Sequence, residues 1–213
     1  MPHNSEYKDW ETKELIEFYV PDVYQPKIYR IDYEKLKERG IKLITFDLDD
    51  TIVPKVRNRM PKSAPPLMTK LKAMGFEVML ISNSKNVKRV EEFADKLNVK
   101  YSIAGAKKPS GKSFEEAKKE YKLEGKQIAH VGNSIMNDVG GANSSGIISC
   151  LVRYVGDVPH NVIQVDKKLK AELKKRKLWQ KHHIEQREDQ YYQLGETQKG
   201  SSPEVAAIKR QKR

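Results

Sequence analysis

Three carboxylates, Asp47, Asp49 and Asp50, close the short run Leu43-Ile44-Thr45-Phe46. The run is apolar and β-branched, which reads as a buried strand, and acids at its end would face the crevice that an α/β sheet leaves at its carboxyl edge. Like charges gathered there repel unless a cation or hydrogen bonds relieve them. Asp47 and Asp49 are two residues apart, on the same side of an extended backbone, and Thr51 continues the series. Such a pair can hold Mg²⁺ and divide the work of nucleophile and acid/base between its members.

Three further groups follow at the ends of later apolar runs. Ser82, in Leu80-Ile81-Ser82-Asn83-Ser84, offers a hydroxyl beside backbone N–H groups at a helix start, a cradle for a phosphate oxygen. Lys108, in Ala106-Lys107-Lys108-Pro109, places a cation ahead of another helix, and Val131-Gly132-Asn133-Ser134-Ile135-Met136-Asn137-Asp138 ends a strand with a glycine, an amide and an acid. Alone, Ser82 or Asp138 reads as a helix cap and Lys108 as a solvated surface charge. At successive strand ends, together with the first acids, they supply what phosphoryl transfer needs: a nucleophile, an acid/base, a hard cation and charge on the equatorial oxygens.

The elements that must position these groups alternate. Strands are expected at 41–46, 76–81, 101–104, 127–131 and 147–152. Helices are expected at 12–19, 31–39 (started by Asp32 and stopped by Gly40), 62–73, 86–97, around Phe114, Ala117 and Tyr121, and at 138–143. Tyr24, Ile28 and Tyr29 read as an aromatic, partly extended approach. The alternation argues an α/β fold, a doubly wound parallel sheet.

Asp47-Leu48-Asp49-Asp50-Thr51 after a hydrophobic strand, followed in order by Ser82, Lys108 and the Gly132 to Asp138 stretch, resembles the four motifs of the haloacid dehalogenase (HAD) superfamily. Val20-Pro21-Asp22, Tyr24, Ile28-Tyr29, Gly40-Ile41-Lys42, Ala106-Lys107-Lys108-Pro109 and Asp138-Val139-Gly140-Gly141-Ala142-Asn143 narrow the resemblance, over about residues 15–165, to the YqeG family of class IIIA phosphatases. It implies a HAD-like Rossmannoid core and phosphomonoester hydrolysis through an aspartyl phosphate. Asp47 is then the nucleophile, Asp49 the acid/base, and Ser82 and Lys108 the catalytic groups that stabilise the transferring phosphoryl. Thr51 and Asn83 are the expected substrate contacts, and Mg²⁺ is expected at Asp47, Asp49, Asn133 and Asp138. One departure stands out: the family's Gly-Asp is here Gly132-Asn133, which removes a charge and implies weaker Mg²⁺ binding or a shifted part for Asp138.

The 34 residues between Asp47 and Ser82, and the 25 between Ser82 and Lys108, leave no room for a large cap domain, so the mouth is expected to be open. An open mouth suits a phosphate carried on a large molecule or a membrane. The family's kinship with mitochondrial phosphatidylglycerophosphate phosphatases implies a lipid phosphomonoester. A soluble sugar or nucleotide phosphate is the alternative substrate, and a non-catalytic basic module for RNA or ribosomes is the alternative outside enzymes.

The chain of 213 residues carries 41 Lys/Arg and 29 Asp/Glu, a net charge of +12, and most of the excess lies beyond residue 166. Three parts are expected: an N-terminal segment at 1–40, a phosphatase core at 41–165 and a basic, partly helical to disordered tail at 166–213. Lys167, Lys168, Lys170, Lys174, Lys175, Arg176, Lys177 and Lys181, beside Leu169, Leu173, Leu178 and Trp179, would form a basic amphipathic helix able to lie on an anionic membrane. A solvated charged helix is the plainer alternative, and His182-His183 has no partner spaced for a metal. The single cysteine, Cys150, reads as a small buried hydrophobe and fits a reducing compartment. Glu6, Asp9, Glu11, Glu14 and Glu17 argue against a secretory signal, and no apolar run spans a bilayer. The expected location is the bacterial cytoplasm, with peripheral contact at the inner membrane face.

Overall fold

In the computed structural model, which describes residues 16, 18–56, 58–156 and 164–179, strand β2 (Leu43–Phe46) lies within the sheet with all four residues buried. It follows β1 (Val23–Gln25) and precedes β3 (Glu77–Ile81), β4 (Tyr101–Ile103), β5 (Ile128–Gly132) and β6 (Ile148–Val152). The strands form one sheet in the order β1-β6-β5-β2-β3-β4. Every neighbouring pair is parallel. Strands buried on both faces read as continuous apolar runs, which is why β2, β3, β5 and β6 lie within a residue or two of their expected limits. From β2 the chain winds outward through β3 and β4, then returns to the other flank of β2 with β5. That reversal opens the crevice of a doubly wound sheet between β2 and β5.

Register brings the strand tips to one edge: Phe46 pairs with Leu80 on one side and with Val131 on the other. Alternate residues then feed two layers. Ile44, Phe46, Val78, Leu80 and Val131 face Leu36 of α1 (Tyr33–Glu38), Met68 and Leu71 of α2 (Ala64–Ala73), and Val90 and Phe93 of α3 (Val87–Lys96). Leu43, Met79, Ile81 and Ile128 face Phe114 and Ala117 of α4 (Lys112–Tyr121) and Ala142 of α5 (Gly140–Ser144). Helix starts are capped as their sequences suggest: Asp32 accepts from Lys35 N–H and Asn86 from Arg89 N–H. Gly40 and Gly75, at φ 85° and 90°, turn the chain out of α1 and α2 into β2 and β3, a conformation that a side chain resists.

Three stretches differ from the sequence reading. The aromatic approach contains β1, a short edge strand in register with β6 (Tyr24 opposite Leu151), and then a 3₁₀ turn at Ile28–Arg30. The short helix at 138–143 begins earlier, as a π-helical turn over Ile135–Val139 that continues into α5.

The basic helix, α6 (Gln164–Lys175), does not present its apolar side to a membrane. Leu169, Leu173 and Trp179 are buried against Ile16, Val20, Tyr24, Ile135, Val139 and Leu151, so the helix spends its apolar side on the protein's own apolar face beside β6 and the π turn. Of the basic residues expected on this helix, Lys167, Lys168, Lys174, Lys175 and Lys177 are exposed. The helix expected at 12–19 falls largely outside the described residues, as do Lys181, His182-His183 and the rest of the tail. No helix among the described residues is long and apolar enough to cross a membrane.

Candidate active site

Asp47 leaves the end of β2 with its backbone N–H held by Val131 O at 2.9 Å, so its carboxylate emerges between β2 and β5. The chain then turns sharply. Asp50 adopts φ 57° and its carboxylate takes the Lys55 N–H at 2.8 Å, which braces the loop while Asp50 borders the same cavity as Asp47 and Asp49. Asp47, Asp49, Ser82, Asn83, Lys108, Asn133 and Asp138 all border one cavity of about 190 Å³ at the carboxyl edge. Seven of the eight expected site residues thus converge. The eighth, Thr51, is fully buried behind them and donates to Asp47 Oδ2 at 3.1 Å.

Lys108 forms the centre of the charge arrangement. Its Nζ lies 2.8 Å from Asp47 Oδ1, 2.7 Å from Asp138 Oδ1 and 2.8 Å from Ile81 O. Its backbone is locked by Asn83, which receives Lys108 N–H on Oδ1 at 2.7 Å and donates Nδ2 to Lys108 O at 3.0 Å. Asn83 and Thr51, expected as substrate contacts, therefore spend their hydrogen bonds on orienting Lys108 and Asp47. Ser82 is fully buried, with its Oγ accepting Ser84 N–H at 3.2 Å.

Asp138 has both oxygens engaged. Oδ2 accepts Ser134 N–H at 2.8 Å, and Oδ1 meets Lys108 and, at 3.2 Å, His130 Nε2. Gly132 permits this approach, because a Cβ there would stand 2.2 Å from the Asp138 carboxyl carbon. His130 is the member that sequence reasoning missed. It lies on β5 opposite Thr45, with Nδ1 2.8 Å from Thr45 Oγ1 and its ring edge-on to Phe114. Burial lowers its pKa, although the bond to Asp138 opposes this. A carboxylate only accepts, so Nε2 carries the proton and Nδ1 of the neutral ring accepts from Thr45.

The buried charges set one another. Burial pushes the Asp47 carboxyl up to about 7, with Lys108 pulling it down and Asp138 pushing it further up. Burial would also raise Asp138, but Lys108 and His130 outweigh it and hold that carboxyl well below the usual range. Lys108 is held above its ordinary value because Asp138 and Asp47 outweigh the cost of burying its charge. Below about pH 7 the proton on Asp47 leaves Asp138 and Lys108 balanced, and above it two carboxylates face one ammonium at the cavity floor.

Two residues that contact the cavity lining were also unread in the sequence. Arg89, in the first turn of α3, places Nη2 2.6 Å from Asp49 Oδ1. Asp166, in α6, accepts from Met136 N–H at 2.9 Å, Ser134 Oγ at 3.3 Å and Tyr154 OH at 2.6 Å, which ties α6 to the loop that carries Asn133 and Asp138.

The donor set fits a hard divalent cation. The Asn133 amide reaches the Asp49 carbonyl, Nδ2 to O at 3.5 Å, so an amide oxygen and a main-chain carbonyl can converge beside the Asp47 carboxylate. These are oxygen donors, as Mg²⁺ prefers, but only one of the three is charged. No cluster of three or more His, Cys, Asp or Glu able to hold a metal occurs among the described residues.

The haloacid dehalogenase-like hydrolase family model matches residues 58–146. The probable phosphatase YqeG of Bacillus subtilis is 33% identical over 169 residues, covering 76% of this chain and 95% of that protein. The phosphatidylglycerophosphate phosphatase 1 of Arabidopsis thaliana, chloroplastic/mitochondrial, is 26% identical over 170 residues, covering 75% of this chain and 48% of that one. Among solved structures, the deoxy-D-mannose-octulosonate 8-phosphate phosphatase of Haemophilus influenzae superposes with a TM-score of 0.46 at 16% identity, over 61% of this chain and 75% of that one.

Proposed function

The chain belongs to the YqeG family of haloacid dehalogenase-like phosphatases, and from that premise we propose that it hydrolyses a phosphomonoester through an aspartyl phosphate on Asp47, with Mg²⁺ as cofactor and a lipid-borne phosphate as substrate. The observation that carries the chemistry is Lys108 bridging Asp47 and Asp138 at the floor of an open cavity. Thr51 and Lys108 fix the two oxygens of Asp47, so its attack is aimed before the substrate arrives.

Attack by Asp47 on phosphorus breaks the bond to the leaving oxygen, which takes a proton from Asp49. Asp49 then removes a proton from the water that hydrolyses the acyl phosphate. Lys108, the Ser82 hydroxyl and nearby backbone N–H groups stabilise the charge on the transferring group. Asp47, the Asp49 carbonyl and Asn133 would hold Mg²⁺, which would supply the positive charge that lets a carboxylate approach a phosphate dianion. Asp138, with both oxygens engaged, positions Lys108.

Two observations support a lipid phosphate. Among the described residues the connections from β2 to β3 and from β3 to β4 contain only α2 and α3, with no cap domain inserted in either. The named activity of the Arabidopsis relative is phosphatidylglycerophosphate dephosphorylation. The test is Mg²⁺-dependent phosphate release from phosphatidylglycerophosphate in mixed micelles beside a panel of soluble phosphomonoesters, with wild type and Asp47→Asn. Release from the lipid that the substitution abolishes supports the reading. Release from soluble esters alone keeps the chemistry and overturns the lipid.

A further inference from the structure

We propose that Arg89 is a specificity-determining residue that receives a second phosphate-type anion of the substrate, so that the preferred substrates carry, besides the phosphomonoester, another phosphate or a phosphodiester. The inference rests on the phosphatase reading above and narrows its substrate class.

Arg89 is held in place from two sides. Its Nε donates to Asn58 Oδ1 at 2.6 Å, and its guanidinium carbon stands 5.1 Å from the centre of the Phe93 ring. Nη2 lies 2.6 Å from Asp49 Oδ1, but neither atom has an aligned hydrogen bond, so the contact is ionic only. Nη1 has no partner among the described residues. The guanidinium therefore stands pre-placed directly behind Asp49, a carboxylate that lines the cavity, with Nη2 buried and without a hydrogen-bond acceptor. A planar fork of this kind matches phosphate oxygens, and little side-chain freedom remains to be lost when an anion binds.

Asp49 gives the reason an anion is needed. As acid/base it must turn toward the leaving oxygen, and its departure strands a guanidinium whose side chain is only 14% exposed. An unpaired cation at that depth is costly. A second anion on the substrate takes the place of Asp49, so recognition of that anion frees the acid/base group. The setting favours it: Lys55, which lines the cavity, and Lys85 and Lys88, at the start of α3, are exposed.

The test uses two pairs of water-soluble esters: fructose 1,6-bisphosphate against fructose 6-phosphate, and dihexanoyl phosphatidylglycerophosphate against glycerol 3-phosphate. Wild type is expected to favour the member with the second anion by about tenfold or more in kcat/KM in at least one pair. Arg89→Gln should reduce that ratio at least about fivefold, with Arg89→Lys retaining part of it. Asn58→Gly, which tolerates the φ of 44° at this exposed position and removes the acceptor that braces Nε, should lower the ratio with little change in Tm, which separates recognition from folding. A preference in the lipid pair alone identifies a phosphodiester as the anion read, and one in the sugar pair alone a soluble phosphate. Hydrolysis with the same ratio in wild type and Arg89→Gln overturns this inference and leaves the phosphatase reading intact. No hydrolysis of any ester by wild type overturns both.

Discussion

Lys108 Nζ stands 2.8 Å from Asp47 Oδ1, and the same ammonium is 2.7 Å from Asp138. Removing it leaves two buried carboxylates facing each other without a counter-charge. Lys108→Met is therefore expected to cost ~3–5 kcal/mol of stability, the usual penalty for breaking a buried ion pair, and to lower turnover ~10²–10³-fold. Chemical denaturation and phosphate release measure the two effects. Full activity in the variant would remove Lys108 from the site.

The Asp47 carboxyl, raised by burial from 3.8 to about 7, gives a pH signature. Between those values the folded protein holds a proton that the unfolded chain has lost, so stability falls as pH rises through that window. Asp47→Asn carries no such charge. In metal-free protein the variant should melt higher than wild type at pH 8, by ~1–3 kcal/mol, with the difference vanishing near pH 4. Added Mg²⁺ should stabilise wild type more than the variant. Turnover at pH 8 should fall at least ~10³-fold. A lower Tm for the variant at pH 8 would contradict this account of Asp47.

The parts of this molecule that could be read in the sequence are those whose signal is local. Strands buried on both faces are apolar runs, and the acids, the serine, the lysine and the glycine-amide pair sit at their ends. What stayed unread depends on contacts across the fold. β1 is three residues long and earns its place by backbone pairing with β6. His130 is one polar residue within a buried strand, and nothing in its spacing points to Thr45 on the neighbouring strand or to Asp138 a turn away. Arg89 sits among Lys88, Glu91 and Glu92 on a charged helix. The stripe of Leu169, Leu173 and Trp179 was visible as a stripe. An amphipathic pattern, however, does not say whether a membrane or the protein's own face covers it.

Asn133 replaces the acid that the resemblance leads one to expect, and it reaches the Asp49 carbonyl beside Asp47. Divalent-ion affinity rises with the number of charged ligands. Asn133→Asp should thus lower the Mg²⁺ concentration for half-maximal activity ~10-fold. It should also destabilise the metal-free protein, because another carboxylate joins Asp47. Titration calorimetry and a Mg²⁺ titration of turnover report the change. An unaltered Mg²⁺ requirement would place the cation away from Asn133.

Asp166 links the basic helix to the catalytic edge, because its carboxylate accepts from Met136 N–H, Ser134 Oγ and Tyr154 OH. Ser134 N–H in turn holds Asp138 Oδ2, so the helix supports the loop that positions Lys108. Asp166→Ala leaves a main-chain donor and two hydroxyls without their acceptor, at a cost of ~2–3 kcal/mol. Asp166→Asn keeps an acceptor for Met136 and Ser134 and offers an N–H to the Tyr154 oxygen, so it should cost under ~1 kcal/mol. Tyr154→Phe removes one bond of the three and should fall between them. If the contact only docked the helix, Asp166→Ala would lower Tm and leave kcat at a temperature where the variant is folded unchanged. A support for the Asp138 loop requires kcat to fall with KM little altered, and Asp166→Asn to restore it.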